Sequence, residues 1–401
     1  MSSVRIPPTL RTETGGVREI EASGGTVREI LDDLVSRFPS LESKIYADGD
    51  IAPFLNVYVG GEDVRTLDGL ETAVADGASV ILLPAMAGGR IALAPSLLDL
   101  VGSTPLVELA RLSPPGGARI FAKLEGQNPT GSIKDRVAKS MIEAAEASGE
   151  LEPGRELLEP TSGNTGISLA LIAKLKGYSL TCVMPENATE ERKKLLRIFG
   201  ATIVESPAEE GSNGAVRLAL SLAESDPRYY MPFQYGNEAN PRAHYEGTGA
   251  EIVEALDRVD ALVAGLGTGG TLMGTGERLR ESFPDVIVAA AEPLPGDPVM
   301  GLRSLDDGYV PPILDVSKLD RKILVSNAES IAGVRALLGR EGIFGGVSSG
   351  AVVHVARKLA EELEDDAIVV CILADGGWKY LSAEFWEAED TEAAMERGHW
   401  W

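Results

Sequence analysis

The chain has few of the residues that build disulfide frameworks and metal sites. Its 401 residues include two cysteines and three histidines. Cys182 and Cys371 each lie inside an apolar run, which indicates buried free thiols rather than a disulfide or metal ligands. The histidines His244, His354 and His399 are scattered along the chain, so we do not expect a histidine-based metal site.

Long apolar segments and positive charge are scarce as well. The sequence has no apolar stretch of the signal-peptide kind and no run of 18 apolar residues, so we expect a cytoplasmic protein. Lys and Arg number 37 against 61 Asp and Glu, a net charge of −24. A surface of this sign repels nucleic acid and anionic membranes, so we expect neither as a partner.

Residues 1–89 have the pattern of a small separate domain. The predicted elements follow the order strand, strand, helix, strand, strand. They are Val4–Ile6, Val17–Glu21, Thr26–Phe38, Leu55–Val59 and Val80–Leu83. Gly88 and Gly89 follow the last of them. A tail without side chains can thread a narrow active-site channel, although Gly-Gly pairs are also common in linkers.

This order of elements with a Gly-Gly end resembles the β-grasp sulfur carriers, which have the ubiquitin-like fold. The resemblance implies a carrier whose final glycine bears a thiocarboxylate, formed after adenylation by an E1-like partner enzyme. Here Gly89 is followed by Arg90, so its carboxyl group is an amide and cannot be adenylated in the intact chain. We therefore expect a protease that cuts after Gly89, unless the domain has another role.

The remaining residues, 90–401, contain a lysine in an unusual setting. The stretch Asn128–Arg136, with the sequence NPTGSIKDR, follows a predicted buried strand at Arg119–Leu124 and opens a predicted helix at Ile133–Ser148. Its proline and glycine predict a tight turn that places Lys134 in the first helical turn. Burial and the helix dipole both favour the neutral amine there. A neutral lysine can form a Schiff base with a carbonyl-containing cofactor.

Apolar strands alternate with helical segments through the same region. The further predicted strands are Arg155–Glu159, Ser179–Met184, Ala261–Gly267, Val286–Glu292 and Ala367–Ala374. Continuous apolar strands between helices predict an α/β domain with parallel sheets flanked by helices. The binding sites of such sheets lie at the carboxyl ends of the strands.

Three polar loops are candidate binding segments. Thr161–Gly166 offers hydroxyls, an amide and backbone N–H groups suited to a carboxylate. Gly265–Thr271 is suited to a phosphate, but it also satisfies G-x-G-x-x-G with Glu292 further on, so a dinucleotide site is an alternative. Ser348, which precedes a predicted helix beginning at Ala351, can hydrogen-bond an unprotonated pyridine nitrogen.

The lysine turn and the three loops resemble, in order and spacing, the motifs of the cysteine synthases. These are pyridoxal-phosphate enzymes of the tryptophan-synthase β fold (PLP fold type II), and the resemblance covers nearly all of residues 95–385. It implies pyridoxal 5'-phosphate (PLP) as cofactor, with Lys134 as Schiff-base lysine and catalytic base. It places Asn164 against the 3-oxygen of the cofactor and Ser348 against the ring nitrogen. The implied phosphate loop is Gly267, Thr268, Gly269, Gly270 and Thr271. The implied residues for the substrate carboxylate are Thr161, Ser162, Thr165 and Gln234.

The whole sequence resembles a natural fusion of a sulfur carrier, residues 1–89, with an O-phosphoserine-dependent cysteine synthase, residues 90–401. Arg303 resembles an arginine that binds the substrate phosphate in that subfamily, and a guanidinium suits a phosphate better than a neutral ester. The implied reaction is β-replacement. O-phosphoserine or O-acetylserine loses its leaving group to give an aminoacrylate, which a carrier thiocarboxylate or sulfide attacks. The resemblance also implies a homodimer.

Other functions share parts of this pattern. Cystathionine β-synthases and serine/threonine dehydratases have the same fold, and a dinucleotide-binding or scaffold protein would need no PLP. The visible absorbance of a PLP Schiff base would exclude the last two. At the C-terminus, the adjacent Trp400 and Trp401 predict a docked tail, either over the active-site mouth or on a partner subunit.

Overall fold

The structure, a computed structural model, describes residues 2–47, 49–52, 55–84, 94–161, 163–188, 190–381 and 383–386. The chain divides into two compact units, Met1–Leu93 and Ala94–Trp401. Several sequence predictions concern residues outside the described ones, namely those on Gly88, Gly89, Ser162 and the C-terminal tail.

In the first unit, one long helix packs against a five-stranded sheet. Its elements are β1 (Ser2–Arg5), α1 (Pro8–Arg11), β2 (Glu19–Ala22), α2 (Val27–Arg37), α3 (Glu42–Ile45), β3 (Tyr46–Ala47), β4 (Asp50–Ile51), β5 (Leu55–Val59), β6 (Glu62–Asp63) and β7 (Ser79–Pro84). The strand order is β2-β1-β7-β5-β6, and β3 and β4 form a separate pair. Strands β1 and β7 are parallel, and the other neighbours are antiparallel.

Helix α2 shows why this region folds as the sequence predicted. The hydroxyl of Thr26 accepts a hydrogen bond from the backbone N–H of Glu29 (3.3 Å) and so caps the helix. The apolar face of α2 is buried in the same core as the inward residues of the sheet. The predicted order of strands and helix, and with it the β-grasp fold, is confirmed.

Two sheets flanked by helices form the second unit. Its strands are β8 (Leu106–Glu108), β9 (Arg119–Leu124), β10 (Glu156–Pro160), β11 (Leu180–Pro185), β12 (Thr202–Ser206), β13 (Tyr229–Tyr230), β14 (Ala261–Gly265), β15 (Ile287–Pro293), β16 (Arg321–Val325) and β17 (Ile368–Leu373). One sheet has the order β12-β11-β10-β13 and the other β16-β15-β14-β17-β9-β8. The β8–β9 pair is antiparallel, and the other neighbours are parallel.

The helices of this unit cover the parallel strands, as predicted for an α/β fold. They are α4 (Lys134–Ser148), α5 (Asn164–Lys176), α6 (Glu190–Phe199), α7 (Gly211–Ser225), α8 (Ala239–Ala243), α9 (Ala250–Ala255), α10 (Gly270–Ser282), α11 (Asn327–Ala336) and α12 (Val347–Glu362). A π-helical segment, His244–Gly249, joins α8 to α9. Within the described ranges, no helix is long and apolar enough to cross a membrane.

Strand order decides which loops meet. Strands β14, β17 and β9 are parallel neighbours, so the segments that follow their carboxyl ends share one edge of the sheet. Those segments carry Gly267, Asp375 and Lys134 respectively. Strand β10, in the other sheet, leads into Thr161 and α5. The candidate site is built from these strand ends.

Candidate active site

Loops of the second unit line a cavity of about 800 Å³. The predicted site residues on its wall are Lys134, Thr161, Asn164, Thr165, Gln234, Gly267, Thr268 and Arg303. A smaller recess of about 50 Å³ shares Lys134, Gly267 and Thr268 with the cavity. That recess adds Gly269, Thr271 and Ser348. Residues from both sheets thus converge on one site, to which Lys134 is common.

Lys134 begins α4 directly after the predicted tight turn. Gly131 has a φ of +79°, and the carboxylate of Asp135 accepts hydrogen bonds from the backbone N–H of Thr130 (2.7 Å) and the hydroxyl of Ser168 (2.6 Å). These bonds fix the turn against α5. The partly buried Lys134 makes no hydrogen bond or ion pair through Nζ with any described residue.

Burial makes this amine easier to deprotonate than an ordinary lysine. It lowers the pKa of Lys134 to about 8, although the charges of Asp375 and Glu125 act in the opposite direction. A substantial fraction of the amine is therefore neutral near physiological pH, as a nucleophile or a general base requires.

The predicted phosphate loop joins β14 to α10. Gly269 has a φ of +90°, and α10 begins at the next residue. The N–H of Gly270 donates to the Thr268 hydroxyl (3.4 Å), whereas those of Thr271 and Leu272 have no partner among the described residues and can bind an anion. The Thr268 hydroxyl accepts a hydrogen bond from Asn240 Nδ2 (3.1 Å). Gly270 does not line the cavity; a Cβ there would collide with the Asn240 amide, so its small size serves packing.

His244 lies behind this loop. In the sequence analysis it is one of three scattered histidines and has no predicted role. Its Nε2 is 3.3 Å from the Thr271 hydroxyl and its Nδ1 is 3.1 Å from the Thr248 hydroxyl. Burial and the positive charges of Lys134 and Arg136 hold the pKa of His244 well below its usual range. The imidazole of His244 is therefore neutral, and it orients the hydroxyl of Thr271 in the predicted phosphate loop. No pattern in the sequence predicts that His244 lies in a π-helical segment behind this loop.

Two predicted residues lie inside helices rather than before them. Asn164 is the first residue of α5, and Ser348 lies in the first turn of α12 rather than ahead of Ala351. The Ser348 hydroxyl lines the recess and makes no hydrogen bond with the residues that the structure describes.

The candidate carboxylate-binding residues are already connected. Thr165 donates a hydrogen bond from its hydroxyl to Gln234 Oε1 (2.7 Å). The backbone N–H groups of Phe233 and Gln234 donate to the two carboxylate oxygens of Glu159, at 2.8 and 3.1 Å. Phe233 has a φ of +53°, which is strained for a residue with a side chain. Glu159, fully buried at the end of β10, therefore holds the loop that presents Gln234.

Arg303 is held by aromatic rings. Its guanidinium lies 5.3 Å from the ring centre of Tyr235 and 5.1 Å from that of Tyr309, and the two rings meet edge-on at 5.7 Å. It makes no ion pair with any residue that the structure describes. Its backbone N–H donates to the Leu266 carbonyl (2.7 Å), which ties it to the end of β14. A partly buried, unpaired guanidinium in a cavity is suited to bind an anion.

Comparison with known proteins places this site in a family. Residues 97–375 match the pyridoxal-phosphate dependent enzyme family. The chain belongs to this family. Its cofactor is therefore PLP. Residues 4–89 match the ThiS family, in agreement with the β-grasp fold of the first unit.

Individual relatives narrow the family further. A probable cysteine synthase of Bacillus subtilis is 45% identical over 72% of this chain and 96% of its own length. The crystal structure of an O-ureido-L-serine synthase is 37% identical, with a TM-score of 0.70 over 74% of this chain and 96% of that one. A cysteine synthase from Entamoeba histolytica is 31% identical, with a TM-score of 0.71 over 79% of this chain and 100% of that one. Within the PLP enzymes, the chain belongs with the cysteine synthases.

The residues present fit PLP. Lys134 supplies an amine of lowered pKa for the aldehyde, and the start of α10 supplies N–H groups and a threonine hydroxyl for the phosphate. The unpaired hydroxyl of Ser348 suits a ring nitrogen, and the Asn164 amide suits an oxygen substituent. The recess and the cavity share Lys134, so a cofactor held by it would border the space left for a substrate.

Proposed function

We propose that this protein makes cysteine by β-replacement. Its amino-acid substrate is O-phosphoserine, and its sulfur donor is sulfide or a carrier thiocarboxylate. In the sulfide reaction, the bond from Cβ to the phosphate oxygen breaks, a Cβ–S bond forms, and inorganic phosphate leaves. Relatives that are cysteine synthases support the reaction class. The unpaired guanidinium of Arg303 carries the choice of O-phosphoserine over O-acetylserine.

The chain's residues divide the work between cofactor and substrate. PLP, when bound, supplies the electron sink that lets an amino acid lose its α-proton and its β-substituent. Lys134 holds the cofactor and then takes the α-proton on Nζ, for which a pKa of about 8 is suitable. Ser348, a neutral hydroxyl, leaves the ring nitrogen unprotonated. A weaker electron sink favours loss of the β-substituent over side reactions.

The carboxylate and the phosphate of the substrate have separate binding groups. Thr161, Thr165 and Gln234, together with Ser162, bind the carboxylate near the start of α5. Arg303 binds the phosphate dianion, and its two aromatic neighbours limit the positions that the guanidinium can adopt. Holding the substrate at both ends orients Cβ for displacement of the leaving group.

The first unit indicates a sulfur-carrier pathway. Its match to the ThiS family supports a donor in which a thiocarboxylate replaces free sulfide. Such a pathway requires an E1-like adenylating enzyme and, for this chain, a protease that exposes the Gly89 carboxyl group. We further propose that the protein is a cytoplasmic homodimer, in which residues 1–89 act as the sulfur carrier and residues 90–401 as the synthase.

The test compares two substrates in Arg303 variants. Arg303→Ala should reduce kcat/KM for O-phosphoserine about ten- to a hundredfold more than for O-acetylserine, because one charge-assisted contact is lost. Arg303→Lys keeps the charge but not the two-pronged geometry, so its loss should be smaller. Equal losses on both substrates would remove Arg303 from phosphate binding. If the wild type forms no cysteine from either substrate, the proposed reaction is wrong.

A further inference from the structure

Asp375 is a buried carboxylate close to the candidate cofactor site. It follows β17 and is 3% exposed. Its Oδ2 accepts hydrogen bonds from Asn164 Nδ2 and from the Tyr380 hydroxyl, both at 2.7 Å. Its Oδ1 is buried and has no partner among the described residues. A buried carboxylate with one unused oxygen is costly, so its presence at this position needs a reason.

The Asn164 amide is held at both ends by charged groups. Its Nδ2 donates to Asp375, and its Oδ1 accepts a hydrogen bond from Lys379 Nζ at 2.6 Å. Turning the amide over would point its N–H groups at an ammonium group and its oxygen at a carboxylate. The orientation is therefore fixed. One N–H of the amide is used by Asp375, and the other remains for a ligand.

The backbone around Asp375 joins the other segments that face the site. The carbonyl of Ala374 accepts from the N–H of Ile133 (2.8 Å), one residue before Lys134. The carbonyl of Asp375 accepts from the N–H of Gly346 (3.0 Å), two residues before Ser348. A side chain at Gly346 would collide with Asp375 Oδ1, so the two segments are in direct contact.

Charge links the same groups. Burial raises the pKa of Asp375 above its ordinary value, although the hydrogen bonds from Asn164 and Tyr380 and the charges of Lys379 and Lys134 act in the opposite direction. Burial lowers the pKa of Lys379, and the charge of Asp375 raises it. Oδ2 accepts two hydrogen bonds, a role that it keeps in the ionised carboxylate and also in a carboxyl group protonated on Oδ1, the oxygen without a described partner.

We propose that Asp375 is a positioning residue for the cofactor: it holds the Asn164 amide so that an N–H, not the carbonyl oxygen, faces the 3-oxygen of PLP. Lys379 fixes the other end of the same amide. The inference rests on the proposed placement of Asn164 against the cofactor. It adds a residue that acts through Asn164 and touches neither substrate nor cofactor.

The test is a double-mutant cycle on the full chain, read by the dissociation constant of PLP and the position of the visible absorbance band. Asn164→Ala and Asp375→Ala should each weaken PLP binding about ten- to a hundredfold and shift the band in the same direction. The double variant should be no worse than Asn164→Ala. Asp375→Asn, which keeps an acceptor oxygen, should restore PLP binding to within a fewfold of the wild type.

Each result has one interpretation. If Asp375→Ala weakens PLP binding as much in the Asn164→Ala background as in the wild type, Asp375 acts on the fold and the positioning role is overturned. If Asn164→Ala alone changes neither the PLP affinity nor the band, the placement of Asn164 is wrong. Should Asp375→Ala fail to fold, Lys379→Met replaces it in the same cycle. Its loss of PLP affinity must then vanish when Asn164 is absent, and an undiminished loss overturns the proposal.

Discussion

At the scale of single residues, burial controls the chemistry more than sequence position does. Glu159 is the penultimate residue of β10, a buried strand, yet its carboxylate holds the backbone of Phe233 and Gln234. Burial raises the pKa of Glu159 from 4.5 to about 7, against the two backbone hydrogen bonds, which lower it. A group that titrates at this pH and holds the backbone of Gln234, a residue proposed to bind the substrate carboxylate, should make substrate binding depend on pH.

We expect the KM for the amino-acid substrate to rise as pH falls through about 7, because a protonated Glu159 can accept only one of the two N–H bonds well. Glu159→Gln carries an amide at every pH, so its KM should be high throughout and lack this step. The neighbouring Cys182 and Tyr230 have raised pKa values and stay neutral over this range. Steady-state kinetics between pH 6 and pH 8.5 would measure the effect. A step of equal size in Glu159→Gln would contradict the assignment.

The same residue makes a thermodynamic prediction. Because the folded-state pKa of Glu159 is raised, its contribution to stability is fully present below about pH 4.5 and is lost as pH rises through about 7. The wild type should therefore lose about 3 kcal/mol of unfolding free energy relative to Glu159→Gln across this window. Urea unfolding of both proteins at several pH values tests the sign. If the unfolding free energy of the wild type instead increased relative to that of Glu159→Gln as pH rises, burial would not destabilise the ionised carboxylate and the prediction would be wrong.

Local sequence motifs predict site residues that belong to a distinctive pattern, but they give no sign of residues that act through others. Lys134, Asn164 and Ser348 were predicted because each follows a turn or opens a helix within a recognisable pattern. Glu159 and Asp375 were missed, since each is a carboxylate at the end of an apolar strand. Their partners lie 74 and 211 positions away in the chain. Contacts of that range are set by sheet order, which local patterns do not reveal.

At the scale of elements, the turn before α4 combines two demands on one glycine. Gly131 has a φ of +79°, and a Cβ on it would collide with the indole of Trp378. At the other end of the helix, Gly149 has a φ of +77° but no atom within 4 Å of the Cβ position. Both positions therefore favour glycine because of their left-handed backbone conformation. Of the two, only Gly131 also lacks space for a side chain.

Comparing alanine at these two glycines separates backbone strain from crowding. Gly149→Ala should cost roughly 1–2 kcal/mol, the penalty for the left-handed conformation. Gly131→Ala should cost this amount and a further 1–3 kcal/mol for overpacking, and it should weaken PLP binding because the turn carries Lys134. Denaturant unfolding and cofactor titration give both quantities. Adding Trp378→Ala should recover the overpacking part, and equal costs for the two single variants would contradict the steric argument.

Strands were predicted well where they are buried on both sides. Strand β9 has the bounds that the sequence predicted, Arg119–Leu124, and β10, β11, β14, β15 and β17 differ by a few residues at most. Strands β8, β12, β13 and β16 were not predicted. All four lie at the edges of their sheets, where charged residues such as Arg321 and Lys322 face solvent. An edge strand carries no continuous apolar run, so its sequence resembles that of a loop.

At the scale of the whole molecule, the two units imply opposite requirements for the chain between them. A β-grasp carrier of the resembled kind works through a free terminal carboxyl group, whereas a continuous chain converts the Gly89 carboxyl into an amide with Arg90. An amide does not react with ATP in the way that a carboxylate does, so adenylation is blocked. Among the described residues, those that line the cavity belong to the second unit, so we expect the reaction with sulfide not to require a free Gly89 carboxyl group.

We therefore predict that carrier-dependent cysteine synthesis requires cleavage between Gly89 and Arg90, whereas the intact chain uses free sulfide. Protein isolated from its native host should contain a fragment of residues 1–89, part of it heavier by the difference between sulfur and oxygen. Intact-mass spectrometry detects both species, and Gly89→Pro, which should resist cleavage, gives the matched control. That variant should keep sulfide-dependent activity and lose the carrier-dependent reaction. If only the uncut chain is found while carrier-dependent synthesis proceeds, the first unit acts without a free carboxyl group, by docking or by regulation of the synthase.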